Sequence, residues 1–150
     1  MRCHVEPDRL VVDTNVLVSA VLSEGGAARA VLRLCLRGGA VPLIGQALFA
    51  EYEDVFARSE PFARSPLDRE ERDALLDAFL ATCRWTWVSF LWRPNLPDEG
   101  DNHLALLAVG GGASAIVTGN ARDLARGELR LGPPVLSPAA LLAARRSRNP

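Results

Sequence analysis

Apolar residues in this chain alternate between two kinds of pattern. Leu10-Val11-Val12, Val41–Ile44 and Ala115-Ile116-Val117 are short runs rich in β-branched side chains, the pattern of strands buried on both faces. Between these runs the apolar positions recur three and four apart. That periodicity predicts helices over Val16–Leu22, Ala27–Arg37, Gln46–Arg58 and Asp68–Cys83, with Gly25-Gly26 and Gly38-Gly39 as stops and Pro61 and Pro66 as breaks. Arg84–Phe90 sets Trp85, Trp87 and Ser89 against Thr86, Val88 and Phe90. Such alternation predicts a third strand, with Trp85 and Trp87 serving packing rather than base stacking. After the linker Trp92–Pro97, a helix opens at Asp98-Glu99-Gly100-Asp101, turns Leu104, Leu107 and Ala108 inward, and stops at Gly110-Gly111-Gly112. A turn of helix follows over Ala121–Ala125. Val135-Leu136 is a last short strand, and Ser137-Pro138 caps a closing helix over Ala139–Arg146.

Strands that alternate with helices from end to end imply an α/β fold, a three-layer α/β/α sandwich around a mostly parallel sheet of about five strands. The 150 residues read as one domain, 1–150, with a lead-in over 1–9 and a basic tail over 144–150 carrying Arg145, Arg146 and Arg148. Pro42 suits the start of a strand or a sheet edge. The Ala27–Arg37 helix is apolar nearly all round apart from the stripe Arg29, Arg33 and Arg37. It is therefore either buried under its neighbours or a homodimer contact.

Composition narrows the chemistry. Net charge is −1, so a nucleic acid would have to be held by a local patch. Lysine is absent, which excludes phosphate-binding loops and Schiff-base chemistry. No Gly-x-Gly-x-x-Gly follows the first strand, which disfavours a dinucleotide site. Cys3, Cys35 and Cys83 are scattered and read as small apolar residues. No apolar run reaches membrane-helix length and the N-terminus has no signal layout, so a cytoplasmic protein is expected.

Carboxylates and amides then gather at the strand ends. Asp13 directly follows the first strand, where it either caps the next helix or belongs to a site. Asp98 and Asp101 open a helix, Thr118 and Asn120 follow the fourth strand, and Glu51 lies on the helix after the second. All can reach one edge of the sheet. Carboxylates brought together repel unless a cation sits among them, and oxygen donors without Cys or His select Mg²⁺ or Mn²⁺. His4 and His103 read as surface or helix-flank residues. The charged run Asp68–Asp73 reads as a solvated first turn.

Four pieces in this order, Val11-Val12-Asp13-Thr14-Asn15-Val16, the Glu51 helix, Asp98-Glu99-Gly100-Asp101-Asn102 and Ile116-Val117-Thr118-Gly119-Asn120, resemble the PIN-domain family of metal-dependent ribonucleases. The resemblance runs from Leu10 to about Ala143 and is strongest to toxins of toxin–antitoxin pairs. It implies catalytic, metal-binding acids at Asp13, Glu51 and Asp101, with Asn120 as a further metal ligand. Asn15, Asp98, Thr118 and Asp123 would support them, Asn15 by orienting Asp13 or a water. It implies an RNA substrate and an antitoxin protein as partner. Arg122, Arg126 and Arg130 are candidate phosphate contacts.

The family usually carries Asp where this chain has Asn120, which removes one negative charge and weakens metal binding. A catalytically decayed PIN-fold module that binds RNA or a protein is therefore the alternative. A haloacid-dehalogenase-type phosphatase, which also places Asp after its first strand, needs a second Asp where Asn15 stands and a Lys the chain lacks.

Overall fold

The structure is a computed structural model that describes residues 7–88, 102–121 and 132–148. Its strands are β1 (Asp8–Val12), β2 (Ala40–Ile44), β3 (Arg84–Trp85), β4 (Ala115–Val117) and β5 (Val135–Leu136). They form one sheet in the order β3-β2-β1-β4-β5, and every pairing is parallel. β1 is central: Leu10 stands opposite Pro42 of β2 and Ala115 of β4, and Val12 opposite Val117. Leu10, Val11, Val12, Ile116 and Val117 are almost wholly removed from water, as their unbroken apolar runs require.

The helices are α1 (Thr14–Leu22), α2 (Ala27–Leu36), α3 (Gln46–Phe56), α4 (Arg69–Thr82), α5 (Asn102–Gly111) and α6 (Pro138–Arg148). The chain moves from β1 through β2 to β3 in one direction, then returns past β1 to β4. Right-handed crossovers place the returning α5 on the sheet face opposite α1 and α2, which makes the three-layer α/β/α sandwich. α5 packs on β1, β2 and β4, while α2 packs against α1, α4, α6 and β2. The reversal between β1 and β4 is a topological switch point, where open α/β sheets form a crevice beyond the strands' carboxyl ends.

Local chemistry sets the element ends. Gly38 (φ 80°) and Gly112 (φ 67°) take the left-handed conformation that closes α2 and α5, and the next residues' N–H groups bond back to Leu34 and Ala108. Asp68 and Glu71 form a reciprocal capping box at the start of α4.

Several expectations change. α1 begins at Thr14 rather than Val16, so helix follows strand with only Asp13 between. β1 takes in Asp8 and Arg9 from the expected lead-in. α6 reaches Arg148, so Arg145 and Arg146 are helical rather than a tail, and Arg145 pairs with Asp8 at 3.4 Å. β3 covers Arg84 and Trp85, residues 86–88 of the expected strand fall outside it, and Ser89 and Phe90 lie outside the described residues. Trp85 is 43% and Trp87 82% exposed, edge-on to each other, so the alternation marks a sheet border rather than a core strand.

Pro42 sits inside β2, an interior strand, and β3 pairs only with Leu43 and Ile44 beyond it. Arg72, expected in a solvated turn, is buried with its guanidinium 4.5 Å over the Phe62 ring. Arg29 leaves its stripe to donate Nε to the Ala20 carbonyl near the end of α1. α1, α4 and α6 of the same chain pack against α2 and bury Ala28, Val31, Leu32, Leu34 and Cys35, while Leu36 at its end is exposed. Among the described residues no helix is long and apolar enough to cross a membrane.

Candidate metal centre

Asp13 stands where β1 becomes α1. Its backbone N–H extends the β1–β4 ladder to the Val117 carbonyl at 2.9 Å, which fixes the residue on the β4 side of the crevice. Asp13 occupies the N-cap position, yet its side chain makes no capping hydrogen bond among the described residues. The carboxylate instead accepts the Thr118 hydroxyl at 2.7 Å. The side chain thus turns toward the end of β4 rather than capping α1.

Thr118 is wholly buried at the end of β4 and ties the β1–α1 junction to the loop that follows β4. Its Oγ1 donates to Asp13 and accepts from Asn15 Nδ2 at 3.4 Å and from the Asn120 N–H at 3.1 Å. Asn15 also accepts the Gly119 N–H at 2.9 Å. A Cβ on Gly119 would stand 3.4 Å from that same Oδ1, an ordinary van der Waals contact. Asn15 thus acts on Asp13 through Thr118 rather than directly. Asn120 contributes its backbone N–H, while its side chain is exposed.

Glu51 approaches from α3. Tyr52, fully buried beside it, donates its hydroxyl to the Val12 carbonyl at the end of β1, and its ring meets Phe79 edge-on. That bond seats α3 against the strand end. Thr14, the first residue of α1, donates its hydroxyl to Glu51 Oε1 at 2.6 Å. His103, at the start of α5, sets Nε2 2.9 Å from Glu51 Oε2. Three helices on both sides of the switch point thus converge on one carboxylate.

The electrostatics separate the two acids. Burial raises the Asp13 carboxyl above its ordinary value and the Glu51 charge adds to this, against the lowering effect of the Thr118 hydroxyl. Hydrogen bonding from His103 lowers the Glu51 carboxyl, with Thr14 contributing, against partial burial. A buried carboxylate that feels a second one is relieved by a cation between them. The donors are oxygens with lone pairs left over, so the pair fits a hard divalent ion.

Asp98, Asp101, Asp123, Arg122, Arg126 and Arg130 lie outside the described residues. Among the described residues no group of three or more His, Cys, Asp or Glu side chains is arranged to hold a metal ion, and Asp13 and Glu51 are the acids the fold brings together. Sequence reading missed Thr14, Tyr52 and His103. Thr14 and His103 each adjoin a quoted motif, but only the fold reveals their partners. Beside His103 opens an apolar cleft of ≈ 430 Å³, walled by Ala47, Ala50, Trp87, Val88, Leu106 and Leu107.

Comparison with known proteins agrees with this fold. A PIN-domain family profile matches residues 9–122. Among solved structures, VapBC2 from Rickettsia felis, described as bound to a DNA fragment from their promoter, matches with a TM-score of 0.59 and 16% identity. The match covers 86% of this chain and 98% of that one, and at such identity it speaks for the fold alone. No curated protein matches the chain. PIN domains are generally nucleases and typically use divalent metal ions. The family match takes in β1, the Asp13 turn, the Glu51 helix, α5 and the end of β4, so the chain belongs to the PIN-domain family.

Proposed function

We propose that the protein is a Mg²⁺- or Mn²⁺-dependent endoribonuclease, the toxin of a toxin–antitoxin pair working in the cytoplasm. The observation that carries this reading is the Asp13–Glu51 pair at the switch point, each carboxylate held by a threonine hydroxyl with lone pairs left for a cation. Asp13 and Glu51 hold the ion, joined by Asp101 as third acid and by Asn120 as a neutral oxygen donor. Asp98 and Asp123 compensate for the charge that Asn120 lacks. The bound ion supplies water activation and neutralises charge developing on the phosphodiester. Thr118, Thr14 and Asn15 keep the acids oriented, and Arg122, Arg126 and Arg130 hold substrate phosphates. Family membership supports nuclease chemistry, and the likeness to a VapBC2 structure supports an antitoxin partner that covers the acidic crevice.

The test is calorimetric titration with Mn²⁺ of wild type, Asp13→Asn and Asp101→Asn, with the same samples assayed on a mixed RNA pool. Binding and cleavage in wild type, both lost in the variants, are expected. Absence of Mn²⁺ binding at millimolar ion overturns the enzyme reading and leaves a decayed PIN fold, the outcome toward which the neutral, exposed Asn120 side chain would point.

A further inference from the structure

We propose that His103 is a positioning residue: its Nε2–H and the Thr14 hydroxyl clamp the two oxygens of Glu51 and present the carboxylate's remaining lone pairs to the divalent ion. The inference deepens the metal-dependent reading above and rests on it.

Glu51 is the acid most in need of such a clamp. Its side chain is 37% exposed on α3, and a free glutamate side chain has about 1.5–2 kcal/mol of rotamer entropy to lose on ordering. Asp13 is short, half-buried and fixed at a strand end. Glu51 reaches the crevice on a longer arm. Donors from α1 and α5 take one oxygen each, Oε1 at 2.6 Å and Oε2 at 2.9 Å, so rotation of the carboxylate about its terminal bond breaks both bonds.

The imidazole is itself well held. Its side chain is 24% exposed, and it lines the apolar cleft with Leu106 and Leu107 of its own helix and Ala47 and Ala50 of α3. Nδ1 is buried and has no hydrogen-bond partner among the described residues. A bare lone pair there is cheaper than an unsatisfied N–H, so the ring proton belongs on Nε2, facing Glu51. One nitrogen packed into an apolar wall and the other on a carboxylate is the arrangement of a ring that orients a ligand. Partners of this kind typically change metal affinity by about 10–100-fold when removed.

The test combines Mn²⁺ titration, pulsed EPR of the bound ion and ¹⁵N spectra of the metal-free protein. His103→Leu, which keeps the apolar wall, is expected to weaken Mn²⁺ binding by about 10–100-fold at a temperature where the metal-free variant is fully folded, and His103→Gln, which restores a donor, to recover most of the loss. The EPR spectrum is expected to lack a directly coordinated imidazole nitrogen. The ¹⁵N spectrum is expected to show the Nε2–H tautomer, with its resonances shifted in Glu51→Gln. Unchanged affinity in His103→Leu, a coordinated nitrogen, or His103 resonances indifferent to Glu51→Gln each overturn the clamp. If wild type binds no Mn²⁺ while the ¹⁵N result holds, it is the metal reading that has failed, and the His103–Glu51 bond is then structural only, which also removes the proposed role.

Discussion

Thr118 and Asp13 stand 105 residues apart in the chain and 2.7 Å apart in the fold, hydroxyl to carboxylate, across the point where the sheet reverses direction. Thr118→Val preserves the shape of the buried side chain and deletes the donor. Asp13 loses its hydrogen bond, and the Asn15 amide and the Asn120 N–H lose their acceptor. A loss of about 1–3 kcal/mol in urea unfolding is expected, together with weaker Mn²⁺ binding. A variant as stable as wild type would show that the hydroxyl does not hold the loop.

The two acids respond to pH in opposite ways. Burial and the charge of Glu51 hold the Asp13 carboxyl above its ordinary value of 3.8, so its ionised form opposes folding above the raised pKa and the penalty vanishes as pH falls to the ordinary value. Asp13→Asn is therefore expected to raise the melting temperature of the metal-free protein at neutral pH, by roughly 2–4 °C for each kcal/mol relieved. The hydrogen bond from His103 holds Glu51 below its ordinary value of 4.5, so its contribution is present above that value and is lost as pH falls through the lowered pKa. Glu51→Gln is expected to lower stability at neutral pH. Calorimetric scans of both variants with chelator present check the signs, and equal signs would contradict them.

Metal addition should reverse the first of these effects. Mn²⁺ is expected to raise the melting temperature of wild type in proportion to the logarithm of its concentration above the dissociation constant, and EDTA to abolish the rise. Asp13→Asn is expected to show no rise. A wild-type scan indifferent to millimolar Mn²⁺ would count against the proposed centre.

Tyr52 offers a probe of the scaffold. Tyr52→Phe keeps the edge-on contact with Phe79 but leaves the Val12 carbonyl without this donor. About 1–3 kcal/mol of stability should be lost, and α3 should loosen against the end of β1, seen as faster amide exchange around Tyr52. Unchanged exchange would mean that packing alone seats the helix.

The described thiols should be inert. Burial pushes Cys35 and Cys83 each up to about 12, so both stay protonated at neutral pH. Alkylation of these two by iodoacetamide should follow global unfolding. Rapid modification of either in native buffer would show that the core opens locally.

Particular residues show how far the sequence carries. The unbroken apolar run before Asp13 announces a strand buried on both faces, and its partner before Thr118 announces another, so the parallel sheet and the edge that carries Asp13 and Thr118 are legible from local pattern. The contacts that organise that edge are long-range. Thr14 meets Glu51 37 residues on, and His103 meets the same carboxylate across 52. Hydroxyl and imidazole groups carry no periodicity to mark such partners. Trp87 fails for a related reason: alternation reports that a strand has two sides, not whether a neighbour covers both.

The sheet order β3-β2-β1-β4-β5 also bears on synthesis. Asp13 and Glu51 both precede β3 in the chain, but Thr118 and β4 follow it, and without β4 the strand end that carries Asp13 has lost one flank of its crevice. Chains emerging from the ribosome order their parts from the N-terminus onward, and contacts of this span close late. A nascent chain halted before Thr118 carries both acids but not the crevice around them. The fold thus delays assembly of the crevice around its two acids until β4 has been made.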